Sequence, residues 1–313
     1  MTEKRQLIPR ERSCLACGNE RGNRMVAATE KLHAMGGDFR YLECNFCKSV
    51  QLVNVPENMA DFYPQNYYAF GKLKQSNGIK NIFKKLRFQL FKSGLLKFGY
   101  PDYMDWLSPI RIDKNTSIAD IGCGNGQLIY ELKCSGYNNL FGFDPYLPEE
   151  VSESGFSLQR KDLMEISGEF DVVMLHHSFE HLENPKTAME KLAELLKPKG
   201  KLLIRVPVTD ASVWEEEGTN WFQLDAPRHL FIPSKKAMKL LGEKSGLTLT
   251  QVIFDSNEYQ FIVTDMYKNG KKPRDFDTEK WGNKKSRAEW VQRAKTLNQT
   301  EKGDQACFYF EKG

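Results

Sequence analysis

Three closely spaced glycines lie between Asp120 and Gln127, directly after an apolar stretch typical of a buried strand. Glycine lets the backbone turn sharply and lets a ligand approach it closely. The spacing G-x-G-x-G is not the dinucleotide G-x-G-x-x-G, which would need glycine at Gln127, and no G-K-[ST] follows to make a P-loop. Asp120 favours a ligand with a cationic group, and Asp144, at the end of the next strand, can bind both hydroxyls of a ribose. We therefore expect a nucleoside ligand that carries positive charge.

Four of the seven cysteines form two C-x-x-C pairs, and three others are scattered singly. Each pair can present two thiolates from one tight turn, and two such pairs complete a tetrahedral zinc site. The alternatives are two disulfides or four unrelated thiols. Single leftover cysteines and a polar N-terminus without a signal peptide favour a reducing compartment, where metal is the commoner role. The sequence predicts a structural zinc ion, since four cysteines leave no open position for catalysis; the expected ligands are Cys14, Cys17, Cys44 and Cys47.

Four of the five histidines follow the fourth or fifth predicted strand. The carboxyl edge of an open sheet is where ligands bind, and histidine has a pKa near ~6.5 that suits a general base. His177, His181 and His229 are the candidate bases, although His181 could instead stabilise its own loop, and His176 or His177 could point into packing. Arg228 could bind a carboxylate or phosphate, or form a salt bridge within its loop.

Apolar strand patterns alternate with helical patterns from residue 117 onward, which predicts a doubly wound α/β sheet. The strands are expected at 117–122, 139–144, 156–160, 170–178, 201–208, 247–254 and 304–311. Helices are expected at 127–136, 184–200 and 234–246, with a polar helical insertion at about 268–303. At 313 residues with 40% apolar and 27% charged residues, the chain is an ordinary globular protein, not a collagenous, disordered or membrane-spanning one. We expect a zinc-ribbon module at 1–60, a basic helical linker or lid at 61–110, and the α/β domain at 111–313.

The net charge of +4 hides a strong asymmetry, because residues 1–110 carry +7, residues 111–265 carry −8 and residues 266–313 carry +5. Residues 72–97 contain eight Lys or Arg and no acid. Apolar residues follow helical spacing within that stretch, at Ile79, Ile82, Phe83, Leu86 and Leu90. The stretch is either a core-packing helix with a solvated basic face or a surface that meets phospholipid head groups or a phosphorylated substrate. Tyr67 and Tyr68, just before it, would close over a ligand cleft or pack a domain junction.

The segments "IADIGCGNGQLI", "FGFDP", "KDLME", "FDVVMLHHSFEHLENP" and "LLKPKGKLLIRVP" resemble class I S-adenosylmethionine-dependent methyltransferases over roughly residues 115–265 and the last strand. The resemblance implies a Rossmann-like seven-stranded sheet and S-adenosylmethionine as cofactor. It places Asp120 near the cofactor's amino group, Asp144 on the ribose hydroxyls, and Asp162 with Leu163 at the adenine. The cofactor contacts that it implies are Asp120, Gly122, Cys123, Gly124, Gly126, Asp144, Pro145, Asp162, Leu163 and His176.

The four-cysteine module, "FYPQNYYAF", the basic stretch and "LDAPRHLFIPS" together resemble bacterial methyltransferases of surface-polysaccharide or secondary-metabolite pathways. That resemblance implies a small-molecule acceptor, namely a sugar, nucleotide-sugar or lipid-linked glycan, met by Tyr67, Tyr68 and Arg228. An anionic acceptor, peripheral membrane contact through residues 72–97 and a cytoplasmic location are expected. The rival hypotheses are an RNA methyltransferase, disfavoured because no N-P-P-[YFW] motif follows the fourth strand, and a non-catalytic cofactor-binding module. Nucleic acid is therefore not the expected partner.

Overall fold

The computed structural model describes residues 12–63, 71–273 and 277–313. Its strands are β1 (Arg24–Glu30), β2 (Gly36–Glu43), β3 (Val50–Leu52), β4 (Ile118–Ile121), β5 (Leu140–Phe143), β6 (Val151–Glu153), β7 (Phe156–Gln159), β8 (Phe170–His176), β9 (Leu196–Pro207), β10 (Phe231–Ile232), β11 (Leu247–Phe254) and β12 (Gln305–Lys312). Its α-helices are α1 (Gly78–Lys92), α2 (Tyr103–Leu107), α3 (Gln127–Ser135), α4 (Pro185–Glu194), α5 (Ser212–Glu217), α6 (Lys235–Lys244), α7 (Tyr259–Lys268) and α8 (Lys284–Gln299). Short 3₁₀ turns lie at Met59–Phe62, Leu163–Glu165, Phe179–His181, Gly218–Asn220, Phe222–Leu224 and Thr278–Lys280.

The larger sheet has the strand order β11-β12-β9-β8-β4-β5-β7-β6. Strands β7, β5, β4, β8 and β9 run parallel, and β12 lies antiparallel between β9 and β11. All seven predicted strands are present, so the predicted Rossmann-like α/β fold is confirmed. The extra edge strand β6 was not predicted, because its three residues are too short and too exposed to show a hydrophobic pattern.

Local sequence sets the ends of the helices that flank the sheet. Gly126 and Gly136, both in the left-handed region, bound α3. The Asn184 side chain accepts hydrogen bonds from the first turn of α4, and Pro185 occupies the first helical position. The helix predicted over 184–200 ends at Glu194, since Pro198 cannot continue it, and β9 starts earlier than expected.

A second sheet joins the N-terminal residues to a later part of the chain. Its order is β1-β2-β3-β10, and β10 comes from the segment that follows β9. Trp214 and Trp221, at 4% and 1% exposure, pack beneath this sheet with their rings 5.9 Å apart. The aromatic residues of this insertion therefore cover the N-terminal sheet. The expected division of the chain at residues 60 and 110 stays a prediction.

Arg228 links three separate segments in the interior, and its side chain is fully buried. Its guanidinium donates to Glu30 at 2.8 Å, to Asp225 at 2.5 and 2.8 Å, and to the carbonyl oxygen of Phe62 at 3.1 Å. The Glu30 side chain is also fully buried. The loop salt bridge, one of the two roles expected for Arg228, is therefore present, and it extends to the N-terminal sheet.

The basic helix begins after Asn77, whose side chain accepts from Lys80 N, and ends at Ser93 before Gly94. Phe88 is its buried residue and packs edge-on against Tyr137. The apolar face predicted for this helix points outward instead, with exposures of 68% at Ile79, 69% at Ile82 and 66% at Phe83. The core-packing interpretation of that face is therefore not what the structure shows. None of the helices in the described ranges is both long and apolar enough to cross a membrane.

We expect Arg228→Met to lower the free energy of unfolding by about 3–5 kcal/mol, because it leaves the buried Glu30 carboxylate without its cation. Urea denaturation followed by tryptophan fluorescence measures the loss. Arg24→Met is the matched control, since Arg24 forms an ion pair with Glu43 but is 67% exposed, and it should cost no more than about 1 kcal/mol. Equal losses in the two variants would contradict this account of Arg228.

Candidate active site

The glycine turn is pressed against the ends of two strands. Gly122, Gly124 and Gly126 all have positive φ angles, of 72°, 57° and 80°. A Cβ added at Gly122 would lie 2.4 Å from Ser178 Cβ, and one at Gly126 would lie 2.5 Å from Leu158 Cδ1. Side chains are therefore excluded on both conformational and steric grounds.

Two carboxylates flank this turn. Asp144 accepts from Gly124 N at 2.9 Å and from Tyr146 N at 2.8 Å, which ties the turn to the end of β5. Asp120 is 2% exposed, and its Oδ1 has no hydrogen-bond partner among the residues that the structure describes. Burial, followed by the charge of Asp144, raises the pKa of Asp120 to about 8. An orphaned, buried carboxylate oxygen fits a ligand that brings an ammonium group.

The other residues expected to contact a cofactor surround the same edge of the sheet. Asp162 forms a capping box with Glu165, accepting from Met164 N at 3.1 Å, and Leu163 is buried in the core. Cys123 packs against Gly142, where an added Cβ would lie 2.9 Å from its Sγ. Pro145 is exposed beside Asp144. The contacts of these residues with a cofactor stay predictions.

His176 packs inward, which fits the expectation that one of the paired histidines does so. Its ring lies 4.8 Å from the Trp106 ring, and both ring nitrogens are buried with no partner in residues 12–63, 71–273 and 277–313. Burial, then the charges of Arg205 and His177, lowers the pKa of His176 to about 3, so the ring is neutral at physiological pH. Its contact with a cofactor stays a prediction.

His177 lies in a hydrogen-bonded chain of side chains. Its Nδ1 is 3.3 Å from Glu180 Oε1, and its Nε2 is 2.5 Å from Arg205 Nη1. Because a guanidinium can only donate, Nε2 accepts and Nδ1 carries the proton that points at Glu180. Arg205 in turn donates to Asp255 at 2.6 Å. The sequence did not predict a role for Arg205 or Asp255. The signal that could have pointed to Arg205 is a cation within the apolar run "LLIRVPV".

Glu180, His181 and His229 come together beside this chain. The rings of the two histidines are 4.9 Å apart, and His229 Nε2 is 3.9 Å from Glu180 Oε1. Burial alone would raise the pKa of the fully buried Glu180, but the hydrogen bond from His177 and the neighbouring histidines lower it to about 2. Burial, then the charge of His181, lowers the pKa of His229 to about 4. The structure thus places an ionised carboxylate against neutral His229.

His181 has two neighbours at its Nδ1, the Arg228 carbonyl oxygen at 2.9 Å and the Tyr63 hydroxyl at 3.3 Å. Tyr63 was not singled out in the sequence. Tyr67 and Tyr68, expected to contact substrate, lie outside the described residues. Arg228 is buried in its ion pairs, so its expected contact with a substrate stays a prediction.

The four paired cysteines meet at the N-terminal module, as predicted. Cys14 Sγ is 3.4 Å from Cys47 Sγ, Cys17 Sγ is 3.6 Å from Cys44 Sγ, and all four sulfurs lie within 4.8 Å of one another. Sulfurs bound tetrahedrally at about 2.3 Å from zinc lie about 3.8 Å apart. Each pair is closed by a backbone turn, with Gly18 N donating to Cys14 O and Lys48 N to Cys44 O. None of the cysteines is in a disulfide, and the cluster fits a zinc module.

We expect the Asp120 carboxyl to make the folded state less stable as pH rises. With a pKa near 8 when folded and near 3.8 when unfolded, it holds a proton in the folded state that the unfolded chain has released between those pH values. The folded state should therefore lose up to about 1.4 kcal/mol per pH unit through this window, and Asp120→Asn should remove that part of the slope. Urea midpoints from pH 5 to 8 measure it, with the exposed Asp102→Asn as control. Parallel pH curves for wild type and Asp120→Asn would contradict the assignment.

Comparison with known proteins identifies the domain. A family model described as a methyltransferase domain matches residues 95–252. The human EEF1A lysine methyltransferase 2 is 26% identical over 171 residues, covering 48% of this chain and 69% of the relative. The tRNA U34 carboxymethyltransferase of Helicobacter pylori strain G27 is 26% identical over 171 residues, covering 48% and 66%. The chain thus spans about two thirds of the length of these curated relatives.

Two solved structures with similar folds are the Mycobacterium tuberculosis cyclopropane synthase MmaA2 and a Mesorhizobium loti S-adenosylmethionine-dependent methyltransferase. Both have a TM-score of 0.45, at 16% and 15% identity. The first alignment covers 67% of this chain and 82% of the other, and the second covers 68% and 99%. The family model spans half of the chain, and the chain belongs to the S-adenosylmethionine-dependent methyltransferases.

Proposed function

We propose that this enzyme transfers a methyl group from S-adenosylmethionine to a sugar, nucleotide-sugar or lipid-linked glycan, and that a lipid-linked acceptor is the favoured member of that class. The observation that carries this choice is the exposed apolar and basic helix α1, which fits a phospholipid surface. The location that follows is the cytoplasmic side of a membrane, with the enzyme bound peripherally.

The cofactor site is assigned from the carboxylates and the glycine turn. The unpartnered Asp120 oxygen would bind the cofactor's ammonium group, and Asp144 would bind the ribose hydroxyls while it holds the turn. Asp162 and Leu163 would contact adenine, and Cys123, Pro145 and His176 would line the rest. The cofactor supplies a methyl group already activated on sulfonium, so the enzyme's main task is to position the acceptor.

A hydroxyl acceptor also needs to lose a proton, and three histidines are available near the end of β8. The two ring nitrogens of His177 contact Glu180 and Arg205, which makes it a positioning residue for Glu180. His181 and His229 each hold one nitrogen on a backbone carbonyl and leave the lone pair of the other nitrogen available. We propose that this histidine pair accepts the proton that the acceptor hydroxyl loses. Arg228 fixes the loop that carries His229.

The membrane contact is assigned to the outer face of α1, defined by Ile79, Ile82, Phe83, Leu86 and Leu90. Leu95 and Phe98, in the segment that follows α1, are also exposed, at 76% and 83%. Lys80 and Lys85 are exposed beside it, and the surrounding residues 72–97 contain no acid. A large exposed apolar patch marks an interaction site, and its combination with lysine is typical of helices that lie in the interface of anionic bilayers.

We expect Ile82→Glu with Phe83→Glu to weaken binding to vesicles of phosphatidylglycerol and phosphatidylcholine at least tenfold in cosedimentation, because both apolar side chains leave the bilayer. Lys80→Gln with Lys85→Gln should reduce the preference for vesicles with more phosphatidylglycerol. The control is Met25→Glu with Met35→Glu, two methionines that are each 48% exposed and lie away from α1. Unchanged vesicle binding by the α1 variants would rule out this surface.

RNA methylation is the second candidate, favoured by the tRNA-modifying relatives and by the same basic stretch, which could bind phosphates. The two functions separate in one experiment, in which protein, tritiated S-adenosylmethionine and a bacterial extract are incubated and then fractionated. Label in the organic lipid phase supports a lipid-linked acceptor, and label in RNA supports the rival. Cofactor bound without label transfer to any fraction would favour a non-catalytic protein.

We also propose that Cys14, Cys17, Cys44 and Cys47 bind a structural zinc ion. Cys14→Ser should lower the zinc content measured by mass spectrometry by one equivalent and lower the midpoint of urea unfolding, because the metal's binding energy contributes to folding. Cys134→Ser replaces a buried cysteine outside the cluster and should leave the zinc content unchanged. Zinc content that is the same in both variants would refute the site.

A further inference from the structure

A second group of potential metal ligands lies at the end of β8, separate from the cysteines. Glu180, His181 and His229 can each offer one ligand atom so that all three atoms lie within 4.8 Å of one another. Glu180 and His181 belong to the short 3₁₀ turn after β8, and His229 comes from the segment that also forms β10. The backbone joins the two segments directly, since Leu230 N donates to Glu180 O at 2.8 Å.

The hydrogen bonds of the two histidines resemble those of metal ligands. His229 Nδ1 is 2.7 Å from Gln223 O, and His181 Nδ1 is 2.9 Å from Arg228 O. A carbonyl oxygen only accepts, so each Nδ1 carries the proton and each Nε2 keeps its lone pair. Histidines that bind metals commonly donate their second nitrogen to a carbonyl in this way, which fixes the tautomer and the ring orientation.

The carboxylate supplies the negative charge that a cation would neutralise. The Glu180 side chain is fully buried; its Oε1 accepts from His177, and its Oε2 has no partner within the described part of the chain. The guanidinium of Arg228 is already paired with Asp225 and Glu30, and that of Arg205 with Asp255. A buried carboxylate oxygen with no partner carries a large desolvation cost, which a bound cation would remove.

We propose that Glu180, His181 and His229 bind one divalent transition-metal ion. Two imidazoles and a carboxylate are a zinc donor set that leaves a fourth position open, as in catalytic rather than structural zinc sites. Donor atoms about 2.0–2.1 Å from zinc lie about 3.3 Å apart, so the present spread of up to 4.8 Å requires only small side-chain movements. The hydrogen-bonded chain from Arg205 through His177 orients the Glu180 carboxylate.

The site is next to the glycine turn. Ser178, two residues before Glu180, donates to Ile121 O at 2.8 Å and contacts the position where Gly122 would carry a Cβ. With the ion bound, His181 and His229 could no longer accept a proton; the ion would instead lower the pKa of an acceptor hydroxyl in the open position, which would release its proton to solvent before methyl transfer. This role for the ion rests on the proposed function, whereas binding of the ion does not.

Metal-free protein titrated with Co²⁺ tests the site without cofactor or acceptor. We expect two equivalents to bind, one with the thiolate-to-cobalt charge-transfer bands of the cysteine cluster and one with only the weaker bands of nitrogen and oxygen ligands. Glu180→Gln, which keeps the shape of the side chain, should weaken the second equivalent at least tenfold and leave the first unchanged. His33→Gln, at a histidine outside the cluster, is the control and should bind both.

A single equivalent showing only thiolate bands, or a second equivalent with unchanged affinity in Glu180→Gln, would overturn the site. Circular dichroism of Glu180→Gln, together with its intact first equivalent, shows whether the variant has folded; if it has not, His181→Gln provides the same comparison. If protein with metal in the cysteine cluster alone transfers label to lipid at the full rate, the methyltransferase function stands and the catalytic role of the second ion is wrong.

Discussion

Burial of carboxylates without enough nearby cations is the constraint on which the rest of the structure depends. Asp120, Glu180 and Glu30 are all at most 2% exposed. Each finds a different solution: Arg228 neutralises Glu30, protonation or a ligand's ammonium group satisfies Asp120, and Glu180 relies on the surrounding histidines. An unpaired buried charge costs several kcal/mol, so the two incompletely satisfied carboxylates are the ones whose positions call for a ligand.

The N-terminal module is structurally part of the active site. β10 pairs with β3 of the module, and it follows within two residues of His229. Tyr41 of β2 donates to the carbonyl oxygen of His229 at 3.1 Å, and Glu30 of β1 holds Arg228. The cysteine cluster therefore stabilises a sheet whose far strand fixes a histidine of the site, although none of its four cysteines is assigned to the chemistry.

The fold was predictable because its signals are local. Apolar runs and the turn from Asp120 to Gln127 identified the strands, and the C-x-x-C pairs identified the cluster. The parts that were not predicted depend on tertiary contacts: the pairing of β10 with β3, and the link from Arg205 to His177. For α1, periodicity gave the helix correctly but could not say which face is buried, since an amphipathic pattern looks the same against a core or a bilayer.

The charge asymmetry along the chain can be understood from where its charged residues lie. Of the acids assigned to the cofactor and to the histidine cluster, Asp120 and Glu180 are buried, Asp144 is half-buried and Asp162 is exposed. Lys80, Lys85 and most other bases of residues 72–97 are exposed, and their field reaches into solvent over a Debye length of about 8–10 Å. An anionic surface is therefore attracted to α1, even though residues 111–265 carry an excess of negative charge. A nearly neutral total is compatible with both roles because the two signs are concentrated in different segments of the chain.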